Sequence, residues 1–598
     1  MCRKSRGAKS PVNNDVVDLA VGSSRRFHKA FKVLISHPNV PAPALELLRS
    51  RGAETIICQS VPPSRDEILQ KVPGLRCVST MSSGIDFVDI PEFQKRGIPL
   101  GHTPGVVKNA VADLAIGLMI AAGRHFHAGR TEIERSQWKI EQINWMMGQE
   151  IRDSVIGFFG FGGISQAIAK RLQCWDVAKI IYHTRTRKEN DGDFKAEHVS
   201  FEQLLQESDF LVVAAPLTNE TREKFNGKAF NLMKRSSVFV NVARGGLDVT
   251  TPEPLPANSP LLNVPNCEGL KMSTTKPFKV LIAHTDVPPE GIEILKEQCE
   301  ILQVINEPPK NRPEILEKIR GAHAVIWGGR DILNAEILDA AGPQLKAVST
   351  MSSGINNVDV PELKKRGIPL GSTPAMLTVA VADLTVGLLI AAARRFQEGR
   401  RKIDSDKWDK DHLNWMLGQD IRDSTVGFYG FGGIGQAVAK RLMGFDIKRM
   451  LYTTRNRVSQ DIEERFNAKK VDFETLLAES DFLIIASPLT KETLGLFNAT
   501  VFNKMKETAV LVNVGRGKIV NQDDLYEALK SNRIFAAGLD VMDPEPLPSN
   551  DKLLTLDNVV VTPHVGYATR RTRVDAANLA SRNVLKGLAG EPMLSPAY

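Results

Sequence analysis

Cysteine is scarce. The six in 598 residues (Cys2, Cys58, Cys77, Cys174, Cys267 and Cys299) form no C-x-x-C pair and no metal-ligand cluster. No disulfide framework and no zinc site are therefore expected, and a reducing compartment fits such usage. Long apolar runs are missing too: the most apolar stretch, residues 384–393, falls well short of the roughly 18 residues a membrane span requires and reads as a buried helix. The formal charge of +8 is spread along the chain with no extended basic run, so attraction of anionic small molecules is expected rather than a nucleic-acid groove. With 42% hydrophobic and 24% charged residues the composition is that of an ordinary globular protein, which confines disorder to residues 1–30 and to the junction at 257–277. Residues 1–30 carry Arg3, Lys4, Arg6, Lys9, Arg25 and Arg26 among serines, but Asp15 and Asp18 weaken any likeness to a mitochondrial leader, and a cytoplasmic location is expected.

What the chain does have, it has twice. VSTMSSGI stands at residues 78–85 and again at 348–355, and VIGFFGFGG at 155–163 returns as VGFYGFGG at 426–433. A repeat this long is a duplication of whole domains, not a solenoid. The expected organisation is a truncated substrate domain at 31–107 and a truncated dinucleotide-binding domain at 108–256, then, after the junction, a substrate domain at 278–377 with 570–598 and a dinucleotide-binding domain at 378–569.

In the second copy short β-rich runs alternate with helical stretches. Residues 279–283 and 324–327 read as strands, with helices around Ile292 and across 332–340, and a long helix follows Pro374 with Val381, Leu384, Leu388 and Leu389 on one face. Strands at 425–429, 450–453, 482–486, 510–514, 536–541 and 559–561 follow, mostly separated by helices. Alternation of this kind predicts an α/β protein with a doubly wound parallel sheet of Rossmann type beside a smaller flavodoxin-like α/β domain. A last helix through Val584, Leu585 and Leu588 is expected to pack back on the smaller domain.

The run Gly430-Phe-Gly432-Gly433-Ile434-Gly435 leaves a predicted strand and opens a predicted helix. In that context G-x-G-x-x-G is a dinucleotide loop: Gly430 permits the tight turn, Gly432 lets backbone approach a pyrophosphate, and Gly435 lets helix and strand close. Where a carboxylate would accept the ribose 2′-hydroxyl of NAD, the chain reads Thr453-Thr454-Arg455-Asn456-Arg457. A guanidinium there suits a 2′-phosphate, so NADP(H) is expected, with NAD(H) the alternative, and Arg455 is the better placed of the two arginines.

Three polar residues end successive predicted strands: Arg516 in NVGRG, Glu545 in DVMDPEP and His564 in TPHVG. Strand ends of a parallel sheet converge on one crevice, beside the dinucleotide loop. With these motifs the chain resembles the D-specific 2-hydroxyacid dehydrogenases, and residues 348–598 are most similar to the members that reduce glyoxylate and hydroxypyruvate. The resemblance implies that His564 is the acid and base, that Glu545 orients it and favours its protonated form, and that Arg516 binds the substrate carboxylate and polarises the ketone. It also implies cofactor contacts at Gly433, Ile434, Thr454, Ser487 and Pro488, substrate contacts at Ser353 and Gly354, and a role for Trp415 across a dimer. Two positions depart from the family pattern: Asp383 stands for Glu, and Ser353 for a small apolar residue. The alternatives on the same fold are a dinucleotide-sensing, corepressor-like binding protein and another dehydrogenase of the family.

The first copy lacks the counterpart of residues 321–341 in its substrate domain. Its glycine loop ends in Ser165 where close packing favours glycine, which is expected to weaken cofactor binding. Arg244 and Glu253 remain, but most of what separates Arg516 from Asp540 has no counterpart, and no Pro-His-x-Gly follows. This copy is expected to be catalytically silent. Trp145, kept in NWMMG, suggests an internal pseudo-dimer; otherwise a homodimer is expected. Two adjacent gene copies read as one would leave the same pattern.

Overall fold

The interior strands form where short apolar runs stand between turn residues and are buried on both faces, as parallel strands covered by helices must be, while several of the edge strands are partly exposed. The computed structural model describes residues 78–79, 90–103, 105–138, 146–189, 191–218, 220–243, 278–296, 298–306, 311–328, 331–352, 354–355, 357–374, 376–408 and 415–598. These fall into two compact units, Met1–Asn109 with Asp409–Trp415, and Ala110–Trp408 with Met416–Tyr598. In the first unit, the described residues form one parallel pair, β1 (Val78–Ser79) with β2 (Leu100–Gly101), and a short helix at Ile90–Lys95.

The second unit contains three parallel sheets. From the first copy come β3 (Val155–Phe159), β4 (Lys179–His183), β5 (Ala196–His198), β6 (Phe210–Val213) and β7 (Val238–Asn241), in the order β5-β4-β3-β6-β7. From the second come β8 (Phe278–Ile282), β9 (Cys299–Gln303), β10 (Ala324–Trp327), β11 (Ala347–Thr350) and β12 (Leu370–Gly371), ordered β12-β11-β10-β8-β9. The largest sheet joins β13 (Thr425–Tyr429), β14 (Arg449–Thr453), β15 (Ala468–Lys470), β16 (Phe482–Ile485), β17 (Val510–Asn513), β18 (Ala536–Leu539) and β19 (Val559–Val561) in the order β15-β14-β13-β16-β17-β18-β19. Its order reverses at β13, which opens a crevice at the carboxyl ends of β13 and β16. Alternate residues serve opposite faces: Phe482 and Ile484 join one apolar cluster, Leu483 and Ile485 another.

Six helices matter for the site: α1 (Lys108–Gly123), α2 (Phe126–Glu134), α3 (Gly163–Leu172), α4 (Thr378–Ala393), α5 (Gly433–Leu442) and α6 (Arg570–Leu588). The α6 residues Ala577, Ala580, Val584 and Leu588 pack on Val280, Ile282, Ala324 and Ile326 of the five-stranded sheet of the second copy. Apolar nearly all round, α4 is buried over most of its length. Its burial has two sources: a Cβ on Gly538 of β18 would stand 3.0 Å from Leu388, and Gly387 faces Ile120 of α1. Among the described residues, no helix is long and apolar enough to cross a membrane.

The two copies touch through reciprocal contacts. Gly117 faces Ile390 as Gly387 faces Ile120. Lys170 pairs with Asp446 at 2.7 Å and Lys440 with Asp176 at 2.6 Å. The Arg171 guanidinium stands 5.3 Å from the Phe445 ring centroid, and that of Arg441 5.4 Å from Trp175. Arg124 donates to the Ala380 carbonyl at 3.0 Å, and Arg394 to that of Ala110 at 2.9 Å. A contact set that maps onto itself when the copies are exchanged has the form of an isologous two-fold interface. Within each copy a buried ion pair fastens the long helix to the helix after the glycine loop, Asp113 with Arg171 and Asp383 with Arg441. The Asp383 departure noted in the sequence is thus met by a partner.

Candidate active site

The crevice at the reversal is lined first by the glycine loop between β13 and α5. Gly430 has φ +97°, and a Cβ there would lie 2.8 Å from the Ala486 carbonyl carbon, so only glycine fits the turn. At Gly432, which caps α5, a Cβ would meet nothing within 4 Å, leaving open space before the amino end of the helix. A Cβ on Gly435 would stand 2.6 Å from the Gly430 carbonyl oxygen. Open space, backbone N–H groups and a positive helix end are what a pyrophosphate needs, so these residues fit a dinucleotide. Ser487 and Pro488 follow β16 on the other side of the crevice, the Pro488 carbonyl accepting from Thr493 at 3.0 Å. In the first copy the same loop is preserved, with Gly160 at φ +92°. There Ser165 does not loosen the packing: its hydroxyl donates to the Gly160 carbonyl at 2.6 Å, turning a close approach into a hydrogen bond.

At the end of β14 the two arginines part company. Arg457 is held by Glu463, at 2.6 Å through Nη2 and 3.0 Å through Nε, and the Tyr452 hydroxyl donates to the same carboxylate at 2.6 Å. These partners hold the Glu463 carboxyl well below its ordinary range, at about 2. Arg457 is thus exposed but paired with Glu463, so its guanidinium is partly engaged within the fold. Arg455 is exposed, and the Thr454 hydroxyl closes the turn onto the Asn456 carbonyl at 2.6 Å.

The three polar residues meet at the ends of β17, β18 and β19. His564 Nδ1 lies 2.8 Å from Glu545 Oε2, and the Met542 amide donates to Glu545 Oε1 at 3.2 Å. His564 itself has φ +55°, a left-handed conformation uncommon for a non-glycine residue. Asp540 holds the turn around it: its carboxylate accepts from the Thr562 hydroxyl at 2.7 Å and from the Val565 and Gly566 amides at 2.9 Å each. Burial pushes the Asp540 carboxyl up, while the neighbouring His564 and these donors pull it down. Asp540 positions the turn without touching the cleft, and its mark in the sequence is a carboxylate just after the otherwise apolar strand β18. Arg516 Nη1 donates to the Gly515 carbonyl at 2.7 Å, and Asn513 fixes the turn by donating to the Arg516 carbonyl at 3.1 Å and accepting from the Gly515 amide at 3.0 Å. A Cβ on Gly354 would stand 3.3 Å from Arg516 Nη2, so the loop after β11 reaches the same place.

The structure thus pairs His564 with Glu545 and places Gly354 against Arg516, at the carboxyl ends of the strands of the sheet whose β13 leads into the glycine loop. Trp415 is half-buried and falls in the first unit. Ser353, Trp145, Arg244 and Glu253 lie outside the described residues. The interface residue Arg124 went unnoticed in the sequence, although it donates to the Val565 carbonyl at 2.7 Å and the Gly566 carbonyl at 2.8 Å, immediately after His564.

Compared with known proteins, residues 116–247 and 386–566 both match the NAD binding domain of the D-isomer specific 2-hydroxyacid dehydrogenases. The chain is 45% identical over 326 residues to the glyoxylate reductase/hydroxypyruvate reductase of Homo sapiens, covering 54% of this chain and 99% of that protein. It is 42% identical over 316 residues to the glyoxylate reductase of Thermofilum pendens, covering 51% and 90%. A crystal structure of a Thermus thermophilus protein is similar at a TM-score of 0.49 and 37% identity, over 54% of this chain and all of that one.

Proposed function

We propose, from the premise that the chain belongs to the D-isomer specific 2-hydroxyacid dehydrogenase family and is an NAD(P)-dependent dehydrogenase, that its second copy reduces glyoxylate and hydroxypyruvate with NADPH while its first copy turns nothing over. The observation that carries this reading is the 2.8 Å pair between His564 and Glu545, at strand ends facing a fitted dinucleotide loop. With Nδ1 engaged by Glu545, His564 Nε2 donates its proton to the carbonyl oxygen of the 2-oxo acid, and takes one back in the reverse direction. Glu545 fixes the ring. Arg516 and the loop at Ser353 and Gly354 hold the substrate carboxylate, and the guanidinium stabilises negative charge as it grows on the carbonyl oxygen. Gly430, Gly432, Gly433, Ile434 and Gly435 would hold the cofactor pyrophosphate, with Ser487 and Pro488 alongside, and the reduced nicotinamide supplies the hydride.

Silence of the first copy rests on its lack of a Pro-His-x-Gly turn. The reciprocal contacts between α1, α3 and their counterparts support a reading in which this copy occupies the place of a second subunit, making an internal pseudo-dimer. Purified full-length protein should oxidise NADPH when given glyoxylate or hydroxypyruvate, followed by the absorbance of the reduced nicotinamide. No substrate-dependent oxidation with either acid would refute the assignment.

Cofactor choice has its own test. Arg455, with Thr454 beside it, is exposed at the end of β14 and, unlike Arg457, is not paired with Glu463. Charge-assisted bonds to a 2′-phosphate contribute about 1.5–3 kcal/mol. Arg455→Ala should therefore raise the KM for NADPH about 10- to 100-fold and leave that for NADH nearly unchanged. Arg457→Ala should change neither, since its guanidinium already serves Glu463.

A further inference from the structure

The catalytic turn of the second copy is gripped from the first. Arg124 is buried, and its guanidinium is spent on three backbone carbonyls: Ala380 at 3.0 Å, Val565 at 2.7 Å and Gly566 at 2.8 Å. The peptide groups after His564 are thus held from both sides, their N–H groups by Asp540 and their carbonyls by Arg124. Nearby, a Cβ on Gly129 of α2 would lie 2.8 Å from Pro563 Cδ, so the turn rests against that helix. The Gly148 amide donates to the Ala568 carbonyl at 2.8 Å, and Glu150 accepts from the hydroxyls of Thr569 and Thr572, which begin α6. The symmetry is broken here. Arg394, the counterpart of Arg124, keeps the bond to Ala110 but has no such turn to hold, because the first copy contains no Pro-His-x-Gly. The first copy lacks an acid and base of its own and retains the residues that fix its neighbour's.

We propose that the first copy is a positioning subunit for the reaction of the second, with Arg124 holding the Val565 and Gly566 carbonyls so that the strained His564 backbone presents its imidazole in register with the substrate. This rests on the reductase reading of the second copy. Arg124 touches neither substrate nor cofactor; it is a positioning residue that acts through His564. Small displacements of a reacting group are costly, about 100-fold for a misplacement near 1 Å.

The experiment compares full-length wild type, Arg124→Ala, Arg124→Lys and Arg394→Ala, the last disturbing the same interface at its mirror position. Arg124→Ala should lose about 10- to 100-fold in kcat with the KM for NADPH unchanged. Arg124→Lys, which keeps the charge and fewer of the bonds, should lose less, and ethylguanidinium in the buffer should partly restore the alanine variant. Arg394→Ala should keep kcat within about twofold of wild type. Hydrogen exchange across residues 562–569 should quicken in Arg124→Ala and not in Arg394→Ala. Unchanged exchange in Arg124→Ala overturns the proposal whether or not the protein is active, and so does equal loss of kcat in Arg124→Ala and Arg394→Ala. Should Arg124→Ala fail to fold, wild-type kcat and exchange in Arg124→Lys would overturn it. A wild type without turnover would instead refute the reductase reading, leaving the exchange result to decide this one.

Discussion

Replacing His564 by alanine in the full-length chain is expected to lower kcat for glyoxylate and hydroxypyruvate by about 100- to 10,000-fold while NADPH still binds, as followed by quenching of its fluorescence. The loss follows from geometry. Glu545 holds Nδ1 at 2.8 Å, which fixes the ring and leaves the other nitrogen to deliver the proton. Alanine cannot deliver it, and water entering the space is neither oriented by Glu545 nor held by the turn. The glycine loop lies between β13 and α5 and does not depend on the imidazole, so cofactor affinity should persist.

How much of this was legible in the chain follows from what each feature depends on. Strands β10, β13 and β19 have the bounds expected from sequence, because each is a short apolar run buried on both faces and ended by turn residues. The expected strands at 482–486, 510–514 and 536–541 end earlier, at Ile485, Asn513 and Leu539. Their last residues leave the ladder to build the crevice; the backbone at Ala486 and Ser487 crowds Gly430 there. The helix expected across 332–340 begins at Ala335, after Asn334 accepts from the Ile337 amide at 3.4 Å. Strand β15 went unseen because an edge strand of Ala468, Lys469 and Lys470 has no apolar pattern to betray it. The edge strand β9 and the interior strand β11 were missed as well.

The site divides in the same way. Arg516, Glu545, His564 and the glycine loop are local motifs at strand ends, so sequence alone could bring them together once the alternation of strands and helices was recognised. The sequence already favours Arg455 over Arg457, but the pairing of Arg457 with Glu463, on the helix after the turn, is a contact that no motif announces. The hydrogen bond by which the Ser165 hydroxyl is accommodated at the Gly160 carbonyl is likewise invisible in the motif. Arg124 could not be read at all. Its partners at Val565 and Gly566 are more than 400 residues away and are backbone carbonyls, which no pattern of side chains announces.

Arg516→Ala is the second variant with a large expected effect, and it should fail differently. The Arg516 guanidinium is steadied by the Gly515 carbonyl at 2.7 Å, by the turn that Asn513 ties, and by Gly517, whose missing side chain lets the Met542 backbone come close. It faces Gly354 from the other domain of the same copy, so one cation can serve both the carboxylate and the carbonyl oxygen of a 2-oxo acid. Removing a donor that stabilises growing oxyanion charge costs about 100- to 1,000-fold in kcat, and losing a charge-assisted bond to the carboxylate should raise the substrate KM about 10- to 100-fold. Steady-state kinetics would then show kcat and KM both damaged, against the kcat-dominated loss in His564→Ala. Arg516→Lys should restore part of the KM, since a point charge still attracts the carboxylate, and little of the kcat, since an ammonium cannot reach both oxygens in one plane. If Arg516→Ala instead left the KM at its wild-type value, the carboxylate would have to be held elsewhere, and the meeting of Gly354 with Arg516 would be a domain contact with no part in recognition.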